Sequence, residues 1–427
     1  MKKEKRERVI LYSDLNNFFA SVETILNPEF KGKPLIVCGD PKARKGVVLA
    51  KNEEAKKYGI KTAETVVSAL KKCPHALQSE THFSEYKKYS EKVKEIYERF
   101  TDVIEECSID ECALDVTASV SLFGSGEAIA HKIRNAVKNE LGLTVSVGVS
   151  FNKVYAKLAS DLKKPDAVTV ISRENYREVV YPLPVTDLLL VGRSTAETLA
   201  KFGVHTIGDL AACDESLLTQ KMGKRGRQIR VYARGEDEEP VKAQSEKEDI
   251  KSIGNSATLP YDVRDRDEIK RWFYVLSESV TARLRDADVG KADTVHIVVR
   301  NENFEDSTWQ TKVSPTTLCS DVAQAAYKLF CEKWKPGAPV HMLGVTVSGF
   351  DHHVSQMTFD QLLGGDQNYD KKERAENAVA KIREKYGYAT LQRGVVMQDD
   401  KLYGLDVRKG TQRQKTPKND KDKKDET

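Results

Sequence analysis

Asp14 ends a short apolar run, Val9-Ile10-Leu11-Tyr12, and Asp110-Glu111 lies between two more, Val103–Ile109 and Cys112–Val116. Carboxylates at the ends of buried strands cost free energy unless they are paired or bound to a cation. A pair of Mg²⁺ ions asks for oxygen ligands shared between the metals, with water and phosphate completing the shells. Two Asp and one Glu at one end of a sheet would supply them. On adjacency alone, a surface turn with exposed acids is the more ordinary arrangement. A second charged feature is Lys221–Arg230 (KMGKRGRQIR), five basic residues in ten with two glycines. Elsewhere the chemistry is sparse. Seven Cys without a CxxC pair argue for a reduced chain and against a zinc site. The adjacent His352-His353 reads as solvated linker, since no His spacing matches a metal site.

The elements that must position these residues follow from hydrophobic period. Val9–Tyr12, Leu35–Cys38 and Val47–Ala50 read as strands bounded by Gly and Pro. Phe83, Tyr86, Tyr89, Val93, Ile96, Tyr97 and Phe100 recur at threes and fours, which predicts a helix with an aromatic core stripe. Residues 128–141 and 152–162 are helical, and 144–149 is a strand. Strands and helices therefore alternate to about residue 171. After Pro182 and Pro184 no strand is evident. Short helices joined by Gly turns over 185–235 predict a helix-hairpin-helix pair. A charged linker precedes a unit with the order strand, helix, strand, strand, helix, strand over 250–350. One further helix is expected over 371–386, and the Lys/Asp-rich end should be disordered.

The chain has 427 residues with 69 Lys+Arg and 65 Asp+Glu, a formal net charge of +4. That length predicts two to four domains, at roughly 100–200 residues each. The charge balance excludes a uniformly basic DNA coat or an acidic tail protein. It permits nucleic-acid binding through a basic face. The first apolar run has four residues. A signal peptide needs about 7–15 and a membrane span about 20, so a soluble intracellular chain without membrane contact is expected.

Four segments in order carry a resemblance. They are Asp14-Leu15-Asn16-Asn17-Phe18-Phe19-Ala20-Ser21-Val22-Glu23, Ser108-Ile109-Asp110-Glu111, Ser146-Val147-Gly148-Val149-Ser150-Phe151-Asn152-Lys153 and Asp161-Leu162-Lys163-Lys164-Pro165. Together they resemble the signature of Y-family DNA polymerases of the bacterial DNA polymerase IV type. The likeness spans about residues 8–350. It implies an α+β multidomain fold shaped as a right hand. Palm and fingers would occupy 1–172, with fingers at about 18–82. A helix-hairpin-helix thumb would take 173–240, a linker 241–249, a βαββαβ little finger 250–350 and a C-terminal tail 351–427. The implied activity is error-tolerant, template-directed DNA synthesis without proofreading, on primer-template DNA with dNTPs. The implied cofactor is two Mg²⁺ ions held by Asp14, Asp110, Glu111 and the Leu15 carbonyl.

Carried over residue by residue, the resemblance makes Phe19 the steric gate against a 2′-hydroxyl. Backbone N–H groups of Asn17, Phe18 and Phe19 at a helix start would receive phosphate oxygens. Lys56 and Lys164 would meet the triphosphate. Gly192 and the Gly223 and Gly226 turns, with Lys221, Lys224, Arg225, Arg227 and Arg230, would hold the DNA backbone. Gln356-Met357-Thr358-Phe359 resembles a sliding-clamp-binding peptide, through Gln356, Met357 and Phe359. A monomer near the nucleoid in the cytoplasm is expected. Three residues depart from the pattern: Asn16 for a second acid, Glu53 for a triphosphate-contacting Tyr, and Ala113 for an aromatic. Asn16 should cost little, while Glu53 and Ala113 motivate an alternative, a catalytically weak protein that binds primer-template or clamp. A nucleotidyl cyclase would share a palm and two metals, but has no use for duplex-gripping domains.

Overall fold

The computed structural model describes residues 7–39, 46–243, 249–351, 367–397 and 402. They form two compact units, Met1–Lys247 and Glu248–Thr427.

The first unit carries strands β1 (Ile10–Leu15), β2 (Leu35–Cys38), β3 (Val48–Lys51), β4 (Leu77–Ser79), β5 (Ile104–Glu106), β6 (Glu111–Asp115), β7 (Val145–Ser150) and β8 (Val168–Val170). Its helices begin with α1 (Phe18–Leu26), α2 (Glu53–Lys56), α3 (Val66–Lys72), α4 (Phe83–Glu98), α5 (Val120–Phe123), α6 (Gly126–Leu141) and α7 (Lys153–Leu162). Five strands make a mixed sheet in the order β5-β6-β1-β7-β8. β1 is central and wholly buried, which is why it reads as a continuous apolar run rather than an alternating one. A small second sheet has the order β3-β2-β4.

The expected aromatic helix is α4, but Phe83 is 52% exposed at its start and lies outside the core stripe. β4 and β8, three residues each, are too short to show a period in the sequence. Helix ends follow local chemistry. Ser125 accepts from the Ala128 N–H to start α6, and Gly142 closes it in a left-handed conformation. Asn152 accepts from the Tyr155 N–H to start α7.

Residues 176–233 are helical: α8 (Tyr176–Val180), α9 (Arg193–Ala200), α10 (Ile207–Ala212), α11 (Glu215–Met222) and α12 (Lys224–Ala233). Thr206 and Asp209 form a capping box at α10. These helices share one apolar cluster with Phe151, Val154, Tyr155 and Leu158 of the α7 region.

The second unit has the βαββαβ order: β9 (Ser252–Val263), α13 (Arg266–Ala287), β10 (Lys291–Arg300), β11 (Asp306–Thr316), α14 (Cys319–Lys333) and β12 (Val340–Asp351). Its antiparallel sheet runs β11-β10-β12-β9. The tail does not end the fold. A helix at Gln367–Tyr386 and a turn at Gly394–Met397 follow, and Val396 and Leu402 join the unit's apolar core. The anchor is a buried ion network. Glu278 of α13 accepts from Arg383 at 2.7 Å and from the Tyr388 hydroxyl at 2.7 Å. Glu376 accepts from Arg285 at 3.0 Å and Arg393 at 2.8 Å.

Candidate active site

β1 and β6 run antiparallel with Asp14 directly opposite Glu111. Side chains two apart on a strand share a face, so Tyr12 and Asp14 point the same way. The Tyr12 hydroxyl donates to Glu111 Oε2 at 2.8 Å. Asp110 lies in the turn between β5 and β6, and its carbonyl accepts from the Leu15 N–H at 3.0 Å. On the other side of β1, Gly148 of β7 faces Tyr12 in the ladder. A Cβ on Gly148 would come within 1.9 Å of the Ala156 carbonyl oxygen. Only glycine lets α7 lie this close to the sheet.

That contact brings Lys157 to the carboxylates. Its ammonium donates to Asp14 Oδ2 at 2.8 Å and to Glu111 Oε1 at 2.7 Å. Lys164 donates to the same Asp14 oxygen at 2.6 Å and pairs with Asp161 at 2.7 Å. Asp14 is 6% exposed, so the ammonium groups carry much of its compensation. Burial pushes the Lys157 ammonium down, yet the Asp14 and Glu111 charges outweigh it and raise it above the ordinary lysine value. Burial likewise pushes Glu111 up, and contacts with Asp14, Lys157 and Tyr12 hold it below the usual carboxylate range.

Carboxylate oxygens at a sheet end are the donors that hard divalent cations prefer. The Lys157 ammonium fills the cation position between Asp14 and Glu111, so these two carboxylates are donors of the kind a divalent metal would take. Asp110 stands apart from this pair: its Oδ1 accepts from the Ser108 hydroxyl at 2.6 Å. Among the described residues, no three His, Cys, Asp or Glu side chains converge closely enough to hold a metal ion by themselves.

Next to the carboxylates, Asn17 precedes α1 in a left-handed conformation, φ 49° and ψ 38°. The first N–H groups of a helix lack intrahelical partners, so those of Phe18 and Phe19 are available to an anion. The Asn17 amide donates to Glu53 Oε1 at 3.0 Å, which places Glu53 at this helix start. Glu53 also pairs with Lys56 at 3.6 Å, whose side chain is 56% exposed. Asn16 is a buried link: it donates to the Ser146 hydroxyl at 2.9 Å and accepts from the Asp166 N–H at 2.8 Å. It thereby ties the Lys164-bearing loop to β7. Ala113 is fully buried against Ile10, Tyr12, Ala156 and Val241, where a larger side chain would displace α7. The Phe19 ring stacks on Tyr86.

In the thumb-like helices, Gly192 precedes α9 and Gly223 turns between α11 and α12 with φ 61°. Gly226 is not a turn. It lies inside α12, where a Cβ would come within 2.4 Å of the Leu218 carbonyl oxygen. Lys221 and Lys224 are exposed. Arg230 is turned inward, donating to the Cys213 carbonyl at 2.8 Å and Glu215 at 3.2 Å. Arg227 also pairs with Glu215, and Arg225 donates to the Leu190 carbonyl at 2.8 Å. Gln356, Met357 and Phe359 lie outside the described residues.

Lys157 and Tyr12 are the residues that sequence reasoning passed over. The one signal for Lys157 is its spacing of four from Asp161, which by itself reads as an ordinary surface pair.

A five-stranded palm with paired carboxylates, followed by clustered helices and a βαββαβ unit, defines a Y-family DNA polymerase fold. Residues 13–161 match the impB/mucB/samB family model, and 250–359 match that family's C-terminal domain. A DNA polymerase IV from Acetivibrio thermocellus is 44% identical over 92% of this chain and 98% of its own length. DNA polymerase IV 1 of Bacillus subtilis is 34% identical over 92% of this chain and 94% of its own. A solved Y-family DNA polymerase chimera superposes with TM-score 0.71 at 26% identity, covering 81% of this chain and 100% of that one. The chain belongs to the impB/mucB/samB family of Y-family DNA polymerases, in its DNA polymerase IV branch. Members are DNA-directed DNA polymerases of translesion synthesis, and their fold implies use of a divalent metal. No helix among the described residues is long and apolar enough to cross a membrane.

Proposed function

We propose that this chain extends a DNA primer on a template past damaged bases, with Asp14, Asp110, Glu111 and the Leu15 carbonyl holding two Mg²⁺ ions. The observation that carries this is the Asp14–Glu111 pair, brought face to face across β1 and β6 and bridged by an ammonium. When bound, the metals lower the pKa of the primer 3′-hydroxyl and stabilise charge on the attacking and leaving oxygens. The chain's own groups do the positioning. N–H groups at the α1 start, with Lys164 and Lys56, orient the triphosphate. Phe19 packs under the sugar. Lys221 and Lys224, with the Gly192 and Gly223 turns, grip backbone phosphates without reading sequence. On this reading the modules are palm and fingers to about 172, thumb to 240, and little finger over 250–350. The Gln356–Phe359 peptide binds the sliding clamp, and the protein works as a monomer at the nucleoid.

The test is primer extension with Mg²⁺ and dNTPs beside Asp110→Ala and Glu111→Ala. Template-dependent extension in the unmodified chain and its loss in both variants is the expected result. Tight duplex binding without extension by the unmodified chain would replace this reading with that of a binding protein.

A further inference from the structure

The Phe19 ring lies flat on Tyr86, with centroids 4.2 Å apart and planes 11° from parallel. Phe83 meets both rings edge-on, at 5.7 Å and 5.6 Å. Tyr86 is fully buried, and its hydroxyl donates to Glu23 Oε1 at 2.5 Å. Glu23 lies four residues after Phe19 on the same helix, so the two share a face of α1. The stack, the hydrogen bond and the helix turn thus close a ring of constraints around the aromatic pair.

Glu23 is itself fully buried, on a helix whose apolar face packs into the palm core. A carboxylate there is costly unless its oxygens are engaged. The Ser79 hydroxyl donates to Oε2 at 2.9 Å, and His82 Nδ1 contacts Oε1 at 2.9 Å. Ser79 ends β4, His82 precedes α4, and Tyr86 stands in the first turn of α4. One carboxylate therefore joins the helix that bears Phe19 to the small sheet and to α4. Satisfied buried networks of this kind fix a single geometry. Nothing in the two-metal chemistry uses Glu23 or Tyr86.

We propose that Glu23 and Tyr86 are positioning residues for sugar discrimination: Glu23 fixes the Tyr86 ring, and that ring fixes the plane Phe19 presents to the incoming sugar. The inference rests on the reading of Phe19 as the gate. Ribo- and deoxynucleotides differ by one hydroxyl, so a small tilt of the Phe19 ring decides whether it fits.

The experiment measures kcat/KM for matched dNTP and rNTP incorporation in the full chain. The variants are Phe19→Ala, Tyr86→Phe, Glu23→Gln and Phe19→Ala with Tyr86→Phe. Tyr86→Phe keeps the ring and removes only its bond to Glu23. Its rNTP-to-dNTP ratio should rise about tenfold, within the range by which a pocket rejects one added hydroxyl. The dNTP value should move far less. Glu23→Gln should act in the same direction. In the Phe19→Ala background, Tyr86→Phe should add nothing, because the ring it positions is gone. Equal loss for dNTP and rNTP in Tyr86→Phe means a structural role and overturns the proposal. So does an undiminished effect of Tyr86→Phe in the double variant. Unchanged selectivity in Tyr86→Phe, beside collapsed selectivity in Phe19→Ala, refutes the positioning role and leaves the gate intact. Unchanged selectivity in Phe19→Ala removes the gate reading itself.

Discussion

Asp14 and Glu111 stand opposite one another in the β1–β6 ladder, and the ammonium of Lys157 bridges them at 2.8 and 2.7 Å. Like charges directly opposite in a sheet destabilise it unless a cation intervenes. Here a lysine holds the place at which a metal is proposed to bind.

Lys157→Met should therefore be least stable when metal is absent. Breaking a largely buried ion pair from one side costs about 3 kcal/mol. Thermal melting in EDTA should show a lower Tm for the variant. Added Mg²⁺ should narrow the gap, since binding to the folded state stabilises it. A gap that is the same with and without Mg²⁺ would separate Lys157 from the metal site.

Gly148 sets how close α7 can come. A Cβ there would sit 1.9 Å from the Ala156 carbonyl oxygen and 2.5 Å from the Ser160 nitrogen, both backbone atoms. Gly148→Ala must push α7 off the sheet and carry Lys157 with it. The expected cost is about 1–3 kcal/mol of overpacking, read from urea midpoints, with a fall in kcat. A variant with native stability would show that the helix shifts freely.

The apolar runs that bracket the carboxylates were legible as strands, but adjacency alone favours a surface turn, and only the ordered motifs pointed to Asp14 and Glu111 as a pair. Lys157 was not, because a lysine four residues from Asp161 on an amphipathic helix looks solvated until the helix is laid on the sheet. Arg230 fails in the opposite way. It reads as part of a basic patch, yet Cys213 and Glu215 draw it inward. Tyr86 was placed in the core from its period. Its hydroxyl meets Glu23 across 63 residues of sequence, which no local pattern encodes. The docking of residues 367–397 is likewise written in long-range ion pairs.

Glu53 is held between Asn17 and Lys56 at the start of α1, where the triphosphate is proposed to bind. A unit negative charge about 4 Å from a phosphate costs about 1 kcal/mol even in water-like surroundings. Glu53→Tyr should lower the dNTP KM roughly fivefold with little change in kcat, the signature of altered ground-state binding. Steady-state incorporation measures this. An unchanged KM would mean that position 53 does not face the triphosphate.

The C-terminal segment is structural. Glu278 is 7% exposed, and its partners Arg383, Tyr388 and Arg393 all come from beyond residue 380. Val396 and Leu402, 4% and 1% exposed, sit in the same core as α13. Arg383→Ala should cost about 3 kcal/mol, because it leaves a buried carboxylate short of a cation. Adding Glu278→Gln should recover part of that loss, since the two residues act as one pair and their effects are not additive. Deleting residues 367–427 should lower the unfolding transition of the second unit, followed by calorimetry on the full and shortened chains. An unaltered transition would show that the segment rests on the surface without supporting it.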